Sequence, residues 1–284
     1  MKCAWQAYLD ILPLWLRENV DTLGKDKLKE LRLRTGSPPE LVLKDKSIWL
    51  RGEVKKEDLD YVLRTASKYS AWASSTSVKG YLTSEGGHRI GICGEAVMED
   101  GNMKGIRTPL SLCIRVAREF PGIAAGAENI GGSVLMIGPP GSGKTTLLRE
   151  WIKVRSEKGT GSICAVDERG ELFPRYQGQF CFSIGPRTDV ISGCSKVQGI
   201  ECVLKTMTPV CIAVDEITSQ EDCAALINGA WCGVDLLATA HASSMDDLYR
   251  SKIYNGIAQM GIFQTVVVLD RHQKWHVERK VECT

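Results

Sequence analysis

The eight residues Gly138-Pro139-Pro140-Gly141-Ser142-Gly143-Lys144-Thr145 fit the spacing G-x-x-x-x-G-K-[ST] and are followed by Thr146. Their chemistry is phosphate binding. Glycines let successive backbone N–H groups curl around phosphate oxygens, and the start of a helix adds a favourable partial charge. Lys144 is expected to reach the β- and γ-phosphates of a nucleotide, and the Thr145 hydroxyl to ligate Mg²⁺. Two acidic stretches and a histidine complete the reactive set. Val214-Asp215-Glu216 ends an apolar run, as a strand would that delivers one carboxylate to a metal and a second to the attacking water. Val166-Asp167-Glu168 ends another. Its strand is expected beside the one before the phosphate loop, so Glu168 is the substitute candidate for the base, although such a pair can equally cap the following turn. His241 follows a third apolar run, where a hydrogen bond to the γ-phosphate is possible.

These residues need a scaffold that brings distant strand ends together. From about Ile123 onward, short apolar runs at Val134–Ile137, Ile163–Val166, Cys211–Val214, Leu236–Thr239 and Val266–Leu269 alternate with helical patterns. That alternation predicts an α/β unit with a parallel sheet covered on both faces, whose ligands bind at the carboxyl ends of the strands. Residues 1–122 read instead as a smaller α+β domain. Trp5 to Val20 has helical spacing interrupted by Pro13, and its Trp and Leu stripe reads as packing rather than as a membrane anchor. Leu28–Leu33 reads as a strand, Leu41–Leu43 with Ser47–Leu50 as a hairpin, and Glu57–Tyr69 as a helix. His88–Val97 and Leu110–Val116 read as strands joined by a loop around Asp100-Gly101-Asn102.

Composition narrows the function classes. The 284 residues are 43% hydrophobic and 25% charged, with a net charge of +2, which argues against a chain that coats nucleic acid. The first 122 residues carry 20 basic and 16 acidic side chains and the remainder 16 and 18, so neither part is a polyelectrolyte. The 11 cysteines include no C-x-x-C pair, and Cys164 and Cys211 sit inside apolar runs; they read as reduced core thiols of a cytosolic protein. No run approaches the roughly 20 apolar residues of a membrane span, and no secretory leader is visible, so membrane association is expected to be peripheral.

The order of phosphate loop, Asp-Glu box, apolar strand with Asp215-Glu216, and histidine box resembles the type II and type IV secretion ATPases. Within that group the match looks closest to the sporulation stage III AA family. The resemblance extends to Glu30-Leu31-Arg32-Leu33-Arg34, Gly91-Ile92-Cys93-Gly94-Glu95 and Gly193-Cys194-Ser195-Lys196, and so spans nearly the whole chain. It implies a RecA-like ATPase that uses ATP and Mg²⁺ and assembles into a ring, a hexamer. It implies small membrane proteins of a sporulation channel complex between mother cell and forespore as partners, with the ATPase on the cytoplasmic face. It also implies that arginines of the N-terminal domain reach the nucleotide, and Arg89, Arg107, Arg115 and Arg118 lie in the segment concerned. The chain departs from the pattern of the secretion ATPases: the four-cysteine zinc site that they often carry is not seen, nor are their long N-terminal recruitment domains, and Asp215-Glu216 stands where the closest of them tend to show Gly-Glu. The alternative reading is a RecA-like ATPase acting on single-stranded nucleic acid, with Lys25, Lys27, Lys55 and Lys56 as its phosphate contacts. A third is a nucleotide-bound scaffold with little turnover, which the intact Lys144, Asp215 and Glu216 disfavour.

Overall fold

Pro13 cannot supply the backbone donor that a continuous helix requires, and it divides the N-terminal apolar stretch into α1 (Trp5–Asp10) and α2 (Leu14–Leu23), with Pro13 itself at the N-cap of the second. In this computed structural model, which describes residues 1–68 and 80–280, the chain continues through β1 (Glu30–Arg34), β2 (Glu40–Val42), β3 (Ser47–Trp49), α3 (Lys56–Ser67), β4 (Tyr81–Thr83), β5 (Arg89–Glu99) and β6 (Asn102–Arg115). Tyr69, the expected last residue of the third helix, lies outside the described residues. The six strands form one sheet in the order β3-β2-β1-β6-β5-β4, with every neighbouring pair antiparallel. Alternation along the strands buries Leu31, Leu33, Leu41, Ile90, Leu112 and Ile114 against Tyr8, Leu16 and Val20 of the first two helices, Leu12 between them, and Leu59 and Val62 of α3. The helical stripe is therefore packing. Trp15 keeps its edge in water and donates to Asp58 Oδ1 at 2.9 Å.

Two readings of this region change. The loop expected after Val97 is a tight turn at Asp100 (φ +52°) and Gly101 (φ +74°), and β6 starts at Asn102, eight residues before the expected strand. Lys104, Arg107 and Pro109 hid its first half. Pro109 is tolerated because it faces Gly94 at an irregularity in the ladder, where a side chain on Gly94 would meet the Thr108 carbonyl oxygen. The three-residue β4 has too few residues to show a period.

The remaining elements are β7 (Val134–Ile137), α4 (Lys144–Lys158), β8 (Ile163–Asp167), the short β9 (Arg175–Tyr176) and β10 (Gln179–Phe180), β11 (Thr188–Ser192), α5 (Lys196–Thr206), β12 (Cys211–Val214), α6 (Gln220–Trp231), β13 (Asp235–Ala240), α7 (Met245–Arg250), α8 (Asn255–Met260), β14 (Thr265–Leu269) and β15 (Trp275–Lys280). Seven of these strands make a second sheet in the order β11-β8-β12-β13-β7-β14-β15. It is parallel except for the antiparallel edge pair β14–β15. Its two faces are both buried, as parallel sheets require. Leu135, Ile137, Val166, Ile212 and Val214 pack with Ile200, Val203 and Leu226 on one side. Val134, Met136, Ala165, Ala213 and Leu237 pack with Leu147, Leu148, Trp151 and Ile152 of α4 on the other. Burial pushes the Cys164 thiol up to about 11 and the Cys211 thiol up to about 12, so both are inert at neutral pH.

The chain divides into two units, Met1–Glu119 with Pro174–Phe182, and Phe120–Phe173 with Ser183–Thr284. The hairpin of β9 and β10 thus belongs to the first unit although it is inserted between strands of the second. Its two-residue strands are too short to show a period in the hydrophobic pattern.

Candidate active site

Parallel pairing sets the site: the carboxyl ends of β7, β13, β12 and β8 lie side by side, and each is followed by one of the reactive stretches. After β7 the loop Gly138–Gly143 turns through Gly141 (φ +75°) and Gly143 (φ +95°), a left-handed backbone that favours glycine, and Lys144 opens α4. Gly138 is required for a second reason. A Cβ there would sit 2.7 Å from the Leu269 carbonyl oxygen and 2.8 Å from Ser142 Oγ. Ser142 Oγ is buried and has no hydrogen-bond partner. A buried hydroxyl without a partner costs stability, and this one lies in the loop whose geometry suits a phosphate. Pro139, Pro140 and Thr146 belong to the same turn and first helical residues.

Lys144 is buried, and its three ammonium donors have three acceptors: Gly138 O at 2.8 Å, Pro139 O at 3.0 Å and His241 Nδ1 at 3.0 Å. Burial lowers its pKa, and the nearby Asp215 and Glu216 carboxylates oppose that shift. An ammonium can only donate, so His241 Nδ1 accepts, and the neutral ring carries its proton on Nε2. His241 Nε2 lies 3.1 Å from Glu216 Oε1, to which it donates in this tautomer. His241 therefore connects the lysine of the phosphate loop to the carboxylate expected to act on water.

The metal candidates also meet. Thr145 Oγ1 donates to Asp215 Oδ2 at 2.7 Å, and Thr239 Oγ1 donates to Asp215 Oδ1 at 2.6 Å. Thr239 Oγ1 in turn accepts the Glu216 N–H at 2.7 Å. Burial raises the Asp215 pKa, while the two threonine hydroxyls work against the shift. A hydroxyl and a carboxylate within 3 Å of each other are the hard oxygen donors that Mg²⁺ prefers, so the residues present fit that ion (on the order of 2 Å per ligand). Glu216 holds φ +51°, an uncommon conformation for its type, and its Oε2 lies 3.4 Å from Arg169 Nη1.

The first acidic pair behaves differently. Its strand β8 does not lie beside β7, as expected; β13 and β12 stand between them. Asp167 accepts from the backbone N–H groups of Glu171 (2.9 Å), Leu172 (3.2 Å) and Phe173 (2.9 Å), and so caps its own loop. Glu168 Oε2 is 2.6 Å from Lys196 Nζ. Glu168 nonetheless lines one crevice with Arg169, Glu171, Lys196, Asp215 and Glu216.

The candidate arginines lie in the first unit. Arg89 stacks on the Tyr81 ring at 3.8 Å, and Arg115 Nε is 3.4 Å from Glu30 Oε1. Arg107 is exposed on β6. Arg118 donates to the carbonyl oxygens of Lys25 and Leu28 and so ties down backbone. Sequence reasoning passed over Thr239, Arg169, Lys196 and Asp222. Thr239 is a polar residue in the all-buried run of β13, and that placement is its signal. Lys196 stands directly after the N-cap Ser195, inside the helix-start pattern Ser195-x-x-Gln198, where a cation is out of place.

A family model described as sporulation stage III, protein AA matches residues 6–279. The chain is 32% identical over 275 residues to stage III sporulation protein AA of Bacillus subtilis (strain 168), covering 92% of this chain and 90% of that protein. Among solved structures its fold is similar to that of the Legionella pneumophila ATPase DotB, with a TM-score of 0.56 and 15% identity over 89% of this chain and 76% of the other. It is similar also to the pilus retraction motor PilT, solved with bound ADP, at a TM-score of 0.59 and 16% identity over 88% and 76%. At these identities the likeness establishes the RecA-like fold of the secretion ATPases. Among the described residues no helix is long and apolar enough to cross a membrane. The extent of the family match and the identity to the Bacillus protein place the chain without ambiguity: it belongs to the sporulation stage III, protein AA family.

Proposed function

We propose that the protein hydrolyses ATP with Mg²⁺, works as a ring, and energises a membrane complex between mother cell and forespore from the cytoplasmic side. The observation that supports this best is the continuous set of contacts from Lys144 through His241 to Glu216, beside the Thr145–Asp215 pair. Bound Mg²⁺ would neutralise charge on the β- and γ-phosphates. Thr145 and Asp215 are the residues to hold it. Lys144 exchanges its loop carbonyls for phosphate oxygens, so binding reshapes the loop it now braces. Glu216 orients the attacking water, and its link to His241 reports the state of the phosphate end to the strand end of β13. Arginines of the first unit, with Arg89, Arg107 and Arg115 as candidates, complete a neighbouring subunit's site, which would couple turnover to assembly. Small membrane proteins of the sporulation channel complex are the partners that fit this role.

Steady-state ATPase activity per subunit, measured across a wide protein concentration range, tests the proposal. Specific activity that rises with concentration supports a site completed between subunits; activity that stays flat while light scattering shows monomer overturns that part. Lys144→Ala should abolish hydrolysis in a folded chain, and normal turnover in that variant overturns the site assignment.

A further inference from the structure

Lys196 is the residue hardest to explain by folding alone. It is the first residue of α5, where the positive end of the helix disfavours a cation, and no acidic residue shares its helical turn. Its side chain is only 4% exposed, so its ammonium has been taken almost wholly out of water. Such a charge is tolerated only when paired. Its partners come from two different elements: Glu168 Oε2 at 2.6 Å, directly after β8, and Asp222 Oδ2 at 3.6 Å, in the first turn of α6. The same Asp222 oxygen accepts the Thr218 backbone N–H at 2.9 Å and the Thr218 hydroxyl at 3.1 Å. Thr218 stands two residues after Glu216, which holds its uncommon backbone at φ +51°. At the start of this turn the Glu216 N–H donates to Thr239 Oγ1 at 2.7 Å, and within it the Ile217 N–H donates to Thr239 O at 2.8 Å. The Glu216 turn is thus pinned at one end by β13 and at the other by Asp222, whose Oδ2 lies 3.6 Å from the Lys196 ammonium.

We infer that Lys196 is a positioning residue for hydrolysis: through Asp222 and Thr218 it fixes the turn that carries Glu216, and it takes Glu168 as its counter-ion. The inference rests on the ATPase reading above and assigns the two acidic residues different tasks. Without the ammonium, Glu168 and Asp222 are left as carboxylates with no cation between them, and the Thr218 end of the turn loses its anchor. The phosphate-binding loop has no contact with Lys196 in this network, so nucleotide affinity is expected to survive.

The test compares wild type, Lys196→Met and Lys196→Arg in the full chain, with Lys144→Ala as the inactive reference. Lys196→Met should lower kcat by roughly ten- to a hundred-fold, the loss typical of a displaced reacting group. The KM for ATP and the Kd of a non-hydrolysable analogue should stay within about three-fold, because the lost interaction does not serve binding. Amide exchange at Thr218 should quicken, and Lys196→Arg should restore part of kcat by keeping the charge. Wild-type kcat in Lys196→Met, or a change confined to KM, overturns the inference. Wild type without activity overturns the ATPase reading, and unchanged Thr218 exchange in Lys196→Met overturns this one independently of turnover. Should Lys196→Met not fold, Lys196→Gln, which keeps a donor and drops the charge, is read by the same outcomes.

Discussion

Ala165-Val166-Asp167-Glu168 and Ala213-Val214-Asp215-Glu216 are the same four residues on neighbouring parallel strands, paired Ala165 to Ala213 and Val166 to Val214. They are used in opposite ways. After Glu168 the chain turns through Arg169 and Gly170 (φ +66°) and folds back, so that three amides converge on Asp167. After Glu216, Ile217 is held by the Thr239 carbonyl, and Asp215 receives hydroxyls from Thr145 and Thr239 on two other elements. Glu168 meets a buried lysine, whereas Glu216 meets His241 and Arg169. The tetrapeptide places a carboxylate at a strand end; the next few residues and the neighbouring strand decide whether it closes a loop or faces a ligand.

The largest expected effect separates the two glutamates. Glu216→Gln should bind ATP and hydrolyse it roughly 10²- to 10³-fold more slowly, the range for loss of a general base. Glu168→Gln should have a smaller effect, because Lys196 keeps Asp222 as a partner. Single-turnover hydrolysis with both variants decides the matter. A larger loss in Glu168→Gln would exchange their roles and break the comparison.

Much of this arrangement was legible in the sequence, for specific reasons. The phosphate loop carries its own spacing, and the short, mostly apolar runs of β7, β8, β12, β13 and β14, alternating with helical patterns, read as buried parallel strands. Pro13 marked the break between the first two helices. The edge strands β11 and β15 escaped notice because Asp189 interrupts the first and His276 and Glu278 polarise the second. The strand order escaped for a different reason: hydrophobic pattern identifies a strand but not its neighbour. Hence β8 was expected beside β7, and the division of labour between the acidic pairs stayed open. Thr239 and Lys196 act through contacts between residues 24 and 28 positions apart in the chain, which no local pattern encodes.

The aspartates offer the next, smaller contrast. Asp167 is buried and its carboxylate is satisfied by three backbone N–H groups. Asp167→Asn replaces one acceptor oxygen by an amide that faces a donor. It should cost about 2–3 kcal/mol of stability, in the range for hydrogen bonds to a charged group. Urea unfolding at neutral pH measures it. An unchanged midpoint would show that the loop closes without the charge and would remove one half of the contrast.

Asp215 should respond with the opposite sign. Burial holds its pKa above the ordinary aspartate value, so folding disfavours the ionised carboxylate relative to the unfolded chain. The folded chain then binds its proton more tightly than the unfolded chain, and stability should rise as pH falls through the folded pKa. Asp215→Asn removes the charge and keeps the shape. It should stabilise the nucleotide-free chain at neutral pH by about 0.5–1 kcal/mol, as substitutions that relieve a functional site commonly do. Its advantage over wild type should shrink at a lower pH, as wild type takes up the proton. The same variant should lose Mg²⁺-dependent hydrolysis. Thermal unfolding at the two pH values, with and without Mg²⁺ and ATP, measures all three effects. Destabilisation by Asp215→Asn would mean that the Thr145 and Thr239 hydroxyls outweigh burial, and that Asp215, like Asp167, is held in place for the fold. Stabilisation with loss of turnover would mean that one strand end spends its carboxylate on the structure while its twin is kept at a cost to it.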